Sequence, residues 1–239
     1  MKFRCTVKER SLILNNNEQE KRSAGEKAVD FIKDGMTVGL GTGSTVYWLI
    51  QKLGKRVSEG LKVKCIPTSI HTERLAMNLE IPIVTFNEID KIDIAIDGAD
   101  EVDKDLNVIK GGGGALVREK IIAEFADQFI VIVDQKKLSE QLGKHFLPVE
   151  VTPFGWQATA KYIANLGCQV KLREEDEKIF VSDNDNYILD CYFEKIEDAA
   201  KLNEKIKMIT GVVDTGLFID MVDLCIVGKG SDTEIIKKQ

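Results

Sequence analysis

Three short apolar runs end abruptly in polar or glycine-rich segments, and this pattern limits the fold of the 239-residue chain more than any other feature. Met36-Thr-Val-Gly-Leu40 runs into Gly41-Thr-Gly-Ser-Thr45, Ile92-Asp-Ile-Ala-Ile96 into Asp97, and Phe129-Ile-Val-Ile-Val133 into Asp134. A strand that is apolar on both faces must be covered on both faces, the situation of a parallel sheet between helix layers. Segments of helical period lie between these runs. Residues 46–57 place Val46, Leu49, Ile50 and Leu53 together, and residues 115–125 offer Val117, Ile121, Ile122 and Phe125 as a buried stripe. A further helix is expected over 18–33, closed by Asp34-Gly35. Residues 61–66 and 81–86 read as two more strands, with a helix over 72–78 between them. Strands alternating with helices predict an α/β class.

Beyond Pro148 the texture changes. Short strands over 149–151, 169–172, 179–182 and 187–193 alternate with helices over 157–166 and 196–206, joined by tight polar turns such as Asn184-Asp-Asn186. This predicts a smaller α+β lobe, after which residues 216–219 and 224–227 return to the first lobe.

The overall charge of −6 argues against general nucleic-acid binding, which needs a basic field. A local anion site is still open, because backbone N–H groups and one or two lysines suffice to build one. The five cysteines are scattered, with no Cys-x-x-Cys pair, so reduced thiols in a cytoplasmic protein are expected, with no zinc site. The two histidines, His71 and His145, stand apart and read as surface or loop residues. No apolar run approaches the ~20 residues of a membrane span.

The segment from Ile96 to Lys120 is too polar and too rich in glycine to be core. Asp97 and Asp100 follow the carboxyl end of an apolar strand, where open α/β sheets bind ligands. Carboxylates there can accept hydrogen bonds from sugar hydroxyls or exchange protons with them. A magnesium site is conceivable from so many acids, but consecutive acids cannot all face one ion, and no metal is expected. Glu101, Asp103 and Asp105 read as solvated loop charges. Lys110 precedes Gly111, Gly112, Gly113 and Gly114, whose free N–H groups form an anion nest beside a cation. That combination can stabilise an oxyanion. Glu119 lies one turn into the following helix, opposite the expected apolar stripe. Alone it would be a dipole partner of the helix N-terminus, but its nearness to Lys110 favours a chemical role. Arg118 and Lys120 read as surface or dimer-contact charges. Upstream, Thr42, Gly43, Ser44 and Thr45 close a strand-to-helix turn suited to a small phosphate. The dinucleotide fingerprint would need a glycine at Ser44, and no Walker lysine follows. The rival reading is a tight turn capped by Ser44 or Thr45. Lys137, with Lys136 as its competitor, stands where it can reach a phosphate.

Together these motifs resemble the A-type ribose-5-phosphate isomerases. The resemblance is carried by residues 39–45, Asp-Gly-Ala-Asp at 97–100, Lys-Gly-Gly-Gly at 110–113, Arg-Glu-Lys at 118–120, residues 134–138, and Leu-Pro-Val-Glu-Val-Thr-Pro at 147–153. It implies a Rossmann-like, mostly parallel lobe from 18–147 and 212–239 and a smaller ferredoxin-like lobe from 148–211. Residues 1–17 form an extension without counterpart, expected to be poorly ordered. It also implies cofactor-free interconversion of D-ribose 5-phosphate and D-ribulose 5-phosphate, a step of the non-oxidative pentose phosphate branch, in a homodimer or homotetramer. Glu119 then matches the general base, Asp97 an acid for ring opening and proton exchange, and Lys110 the cation beside the enediolate. Thr42, Gly43, Ser44, Thr45, Asp97, Gly98, Ala99, Asp100, Lys110, Gly111, Gly112, Gly113 and Lys137 match substrate contacts. Gly228-Lys-Gly-Ser-Asp232 departs from the family pattern. Two other classes compete. A non-catalytic sugar-phosphate sensor would not need the Lys110–Glu119 pair, and an acyl-CoA transferase would need a larger CoA-binding chain.

Overall fold

A computed structural model describes residues 7–238, with side chains from Asn16 onward. The expectation for residues 1–17 lies partly outside these residues, and the described part from Val7 is helical. Helix α1 (Val7–Ala28) leads into β1 (Thr37–Leu40), α2 (Ser44–Ser58), β2 (Lys64–Pro67) and α3 (Ile70–Met77). Then come β3 (Ile94–Gly98), the short β4 (Glu101–Val102) and β5 (Val108–Ile109), α4 (Leu116–Phe125) and β6 (Phe129–Asp134). The second lobe runs through β7 (Leu147–Val151), α5 (Trp156–Ala164), β8 (Gln169–Leu172), the hairpin β9 (Glu174–Glu175) and β10 (Lys178–Ile179), β11 (Tyr187–Tyr192), α6 (Ala199–Lys207) and β12 (Val212–Thr215). The chain closes with β13 (Leu217–Phe218), β14 (Leu224–Lys229) and β15 (Asp232–Lys237).

The main sheet has the order β15-β14-β6-β3-β1-β2, parallel throughout except for the antiparallel edge strand β15. Strand alternation sends Ile94, Ile96, Ile130 and Ile132 into the core under α1 and α2. Ala95, Phe129, Val131 and Val133 go to the opposite core, with Ile122 and Ala123 of α4. Both faces are therefore covered, as the apolar runs require. After β1 the chain moves outward to β2, then returns through β3 on the other side of β1. The carboxyl ends of β1 and β3 diverge at this switch point, where ligands bind in open α/β sheets.

In the second lobe the order β12-β7-β11-β8, all antiparallel, with helices after β7 and β11, is the ferredoxin-like arrangement. A small antiparallel sheet, β13-β5-β4, joins the two lobes. Val108 and Phe218 enter the core of the first lobe, whereas their neighbours Ile109 and Leu217 enter that of the second. This period-2 alternation makes Lys110, the next residue, face the first lobe.

Several expectations are corrected: β12, which the sequence reading gave to the first lobe, pairs with β7 in the second, and the strand expected over 179–182 ends at Ile179, with Val181 making one bridge to Tyr187. Residues 81–86 form no strand; Ile83 makes a single bridge to Cys65 before the chain turns into a 3-10 helix at Phe86–Glu88, held by a capping box between Thr85 and Glu88. Strand β15 was not expected, because an edge strand with charged residues in half its positions has no apolar signature.

Gly228 lets α1 cross β14 at backbone distance. A Cβ there would overlap the Glu20 carbonyl. Gly228→Ala is expected to cost roughly 1–3 kcal/mol, as overpacking does. Urea unfolding should show the loss; parental stability would mean that α1 can shift away at no cost.

Candidate active site

On β3, Asp97 follows Ala95 in the alternation and so points to the α4 side of the sheet. There it meets Lys110, which leaves the end of β5, and Glu119 of α4. Lys110 Nζ lies 2.9 Å from Asp97 Oδ2 and 3.2 Å from Glu119 Oε2. The three residues are only 2%, 3% and 4% exposed for Lys110, Asp97 and Glu119. Lys110 also donates a 2.6 Å hydrogen bond to the Gly98 carbonyl and sits over the Phe218 ring. Asp97 Oδ1 accepts from the N–H groups of Thr42 (3.0 Å) and Gly98 (2.7 Å). Gly41 is required beneath it, since a Cβ at that position would overlap the Asp97 carboxylate.

Two carboxylates around one ammonium leave an excess negative charge in a buried site. Asp97 Oδ2 and Glu119 Oε2 have no aligned hydrogen-bond donor, so their attraction to Lys110 is Coulombic. Burial pushes Glu119 up to about 8, the Asp97 carboxylate adds to this, and Lys110 pulls the other way. Burial also raises Asp97, held back by Lys110 and its two backbone donors. For Lys110, burial alone would lower the pKa, but Asp97 and Glu119 together hold it above the ordinary lysine value. The two backbone N–H groups on Asp97 offset part of its burial cost, a support that Glu119 lacks.

The second half of the site is the N-terminus of α2. Its cap is Gly43, with no side chain closing it, which answers the capping alternative for Ser44 and Thr45. Open N–H groups at such an end attract anions. Thr42 Oγ1 is held by the Thr68, Ser69 and Thr72 hydroxyls at 2.7–3.1 Å, and Thr72 donates to the Gly41 carbonyl, fixing the turn. Asp134, buried at the end of β6, accepts from the Lys136 N–H and starts the 3-10 turn Gln135–Lys137. That turn places the two lysines differently. Lys137 lines the cleft with Thr42, Gly43, Ser44, Thr45, Gly98, Ala99, Asp100, Lys110, Gly111, Gly112, Gly113 and Glu119, whereas Lys136 lines only its outer continuation. Asp100 accepts from the Gly112 N–H at 2.7 Å. Asp97 lies just behind the cleft wall.

Helix α4 corrects the sequence reading. Its buried face is Leu116, Glu119, Lys120, Ile122 and Ala123, while Ile121 and Phe125 are exposed and Val117 half-buried. The hydrophobicity pattern misses this because the buried charges are partnered: Glu119 by Lys110, and Lys120 by Asp214 at 2.7 Å and the Thr215 carbonyl at 2.6 Å. Lys120 is therefore no surface charge. Arg118, half-buried, reaches Asn184 and the Asp183 carbonyl. Glu101 is not a solvated loop charge either. It is buried and accepts from the N–H groups of Gly143, Lys144 and His145. Asp103 is occupied with the turn at Asp105 and Asn107.

Two features escaped the sequence reading. Lys21 of α1 lines the outer cleft with Ser44 and Lys137, which becomes visible only once α1 is packed on the sheet. Arg173, after β8, donates to the Gly111 and Gly112 carbonyls, and no local motif marks it. Among the described residues no group of three or more His, Cys, Asp or Glu is placed to hold a metal ion, and no helix is long and apolar enough to cross a membrane.

The sequence model of the family described as ribose 5-phosphate isomerase A (phosphoriboisomerase A) matches residues 64–232. A ribose-5-phosphate isomerase A from Bacillus mycoides is 54% identical, over 87% of this chain and 95% of its own. The solved ribose 5-phosphate isomerase A of Methanocaldococcus jannaschii is 42% identical and superposes with a TM-score of 0.89, covering 93% of this chain and all of its own (100%). A solved D-ribose-5-phosphate isomerase in complex with phospho-erythronic acid is 38% identical with a TM-score of 0.90, covering 93% and 99%.

Because Lys110 is, among the described residues, the one cation paired with both carboxylates, Lys110→Met leaves them buried and unpaired at a cost of roughly 3–5 kcal/mol at pH 7. Unpaired carboxylates have raised folded-state pKa values, so the folded variant takes up protons and its deficit against the parent shrinks as pH falls. Urea titrations at pH 7 and pH 5 measure this. A deficit independent of pH would show that the lysine is needed for packing instead.

Proposed function

The chain belongs to the ribose 5-phosphate isomerase A family, and from that premise we propose that the cleft interconverts D-ribose 5-phosphate and D-ribulose 5-phosphate through an enediolate, with Glu119 as the base. The observation that carries this reading is the buried Glu119–Lys110–Asp97 cluster opening onto a cleft with an anion site at its other end. A phosphorylated sugar acid bound by a solved relative fits the same chemistry, a phosphate at one end and an oxyanion at the other.

The phosphate is held at the open N-terminus of α2 by backbone N–H groups, the Ser44 hydroxyl and Lys137, with Lys21 on the outer side. This anchors carbon 5 and directs carbons 1 and 2 toward Glu119. Asp97 assists ring opening by exchanging protons with the sugar oxygens. In the open-chain aldose, ionised Glu119 removes the proton on carbon 2. The electron pair forms the C1–C2 double bond, and the carbonyl π electrons pass to oxygen 1 as an enediolate. Lys110 and the free N–H groups of the nest stabilise that oxyanion, supplying without metal the electrophile that a carboxylate base needs. The hydroxyl proton on oxygen 2 then passes to oxygen 1, the proton exchange at the oxygens assigned to Asp97, and Glu119 returns its proton to carbon 1 as the carbonyl forms at carbon 2. Thr42, Gly43, Thr45, Gly98, Ala99, Asp100, Gly111, Gly112 and Gly113 make up the rest of the substrate contacts. No cofactor takes part.

A homodimer or homotetramer in the cytoplasm completes the proposal. The exposed apolar surface of Phe86, Ile121 and Phe125 supports association of copies. The step would lie in the non-oxidative pentose phosphate branch.

The decisive experiment is a coupled assay of ribose 5-phosphate consumption with EDTA present. Turnover is expected to persist in EDTA, and Glu119→Gln to lose at least a hundredfold in kcat with KM within a few fold, as loss of a general base implies. A non-catalytic sensor would bind the sugar phosphate and turn over nothing.

The pH profile supplies a second check. The base acts only when ionised, and its pKa is raised to about 8, so kcat/KM should climb with pH through that value and fall below it. Removing the Asp97 charge takes away the second cause of the shift. Asp97→Asn should thus move the midpoint of the residual activity to lower pH, and an unmoved midpoint would assign the titration to another group.

A further inference from the structure

An anion nest has to direct its N–H groups at the ligand, which obliges the carbonyls of the same peptides to find partners on the far side. In the Gly111–Gly114 segment the Gly111 carbonyl accepts from the Gly114 N–H at 2.9 Å, and the other partners come from the second lobe. Arg173 Nη1 donates to the Gly111 carbonyl at 2.9 Å and to the Gly112 carbonyl at 3.0 Å. The guanidinium is itself clamped. Its Nε lies 3.2 and 3.1 Å from the two Asp190 oxygens and Nη2 bonds Oδ1, while the rings of Phe146 and Phe180 lie 5.4 and 5.7 Å from its central carbon. Arg173 and Asp190 are both buried, at 9% and 7% exposure.

Gly111, Gly112 and Gly113 line the cleft. The Gly112 N–H is taken by Asp100, and the N–H groups of Gly111 and Gly113 donate to no acceptor among the described residues. Gly111 sits at φ +94°, in the region that favours glycine, and a Cβ there would press on Leu116 at 2.8 Å. With no side chains of its own to fix it, so glycine-rich a segment would sample many conformations. An arginine fork bonded to two successive carbonyls restricts it to one.

We propose that Arg173, held by Asp190, is a positioning residue for the isomerisation: by holding the Gly111 and Gly112 carbonyls it fixes the two peptides that follow, so that the Gly112 N–H stays on Asp100 and the free Gly113 N–H is held ready for the developing oxyanion. The inference rests on the isomerase reading of the cleft. It separates two kinds of binding. The phosphate is held at α2, which Arg173 does not touch, so ground-state binding should not depend on it. The oxyanion forms only as the reaction proceeds, so its stabilisation should. Lysine cannot replace the fork, because a single ammonium cannot bond both carbonyls and Asp190 in one plane.

The test compares the parent with Arg173→Lys, measuring kcat, KM, competitive inhibition by inorganic phosphate and thermal unfolding. Arg173→Lys is expected to lose at least tenfold in kcat, with KM and the phosphate inhibition constant within threefold of the parent. A folded variant with kcat within twofold of the parent overturns the proposal, as does a KM or phosphate constant that rises in step with the loss of kcat. If the lysine variant does not fold, Asp190→Asn decides by the same criteria, since it keeps Arg173 and removes only the charge that clamps it. Parental turnover distinguishes the two levels of inference. An inactive parent overturns the isomerase reading and this role with it, whereas an active parent with an unaffected variant overturns the Arg173 role alone.

Discussion

One buried ammonium shared by two buried carboxylates is the interaction on which the rest of the architecture depends. Neither Asp97 nor Glu119 could remain ionised in a dry interior without Lys110, and Lys110 could not remain charged without them. Three elements distant in sequence must therefore meet within hydrogen-bonding distance. Strand alternation on β3 sends Asp97 to the α4 side, alternation through β5 turns Lys110 toward the first lobe, and α4 is rotated until Glu119 faces inward. That rotation displaces Ile121 and Phe125 to the surface, which is unfavourable for burial and is accepted because the charged face has partners. Here the polar network sets the orientation of the helix, and its apolar residues follow.

The two lobes divide the remaining tasks. Through its switch point, the parallel sheet supplies an anion site at α2 and the Asp97 strand end. The ferredoxin-like lobe supplies no cleft-lining residue, yet it holds those that do. Arg173 fastens the glycine segment, Asp214 secures Lys120 on α4, and the Asp183–Asn184 turn receives Arg118 and caps the first N–H of α3. The small sheet β13-β5-β4 makes the attachment stiff, because its strands alternate between the two cores.

Much of this was legible in the sequence wherever a residue type leaves few options. Apolar runs ending in acids implied a parallel sheet, and Asp97, Lys110, Glu119 and the two glycine segments were singled out before any coordinates. The pattern failed where burial is polar. Glu101 and Lys120 look like solvent charges because their partners, the amides of 143–145 and Asp214, lie tens of residues away. Arg173 and Asp190 meet only through the register that pairs Asp190 with Lys171 on neighbouring antiparallel strands, and one-dimensional periodicity carries no register. The strand expected at 81–86 failed for the opposite reason. Its apolar residues reach the core without a ladder, through one bridge at Cys65.

The cluster also shows why a carboxylate can be both buried and basic. A fully solvated glutamate would be ionised at neutral pH but far too weak a base for a proton on carbon. Burial raises its basicity at the cost of stability, and the Asp97 charge raises it further. Lys110 acts in the opposite sense, and without it the glutamate would stay protonated and inert. Asp97 is stabilised separately by the Thr42 and Gly98 amides, which offset part of the upward shift that burial imposes on it. Gly41, which leaves the space that the Asp97 carboxylate occupies, is thus as necessary to the chemistry as the ionisable groups.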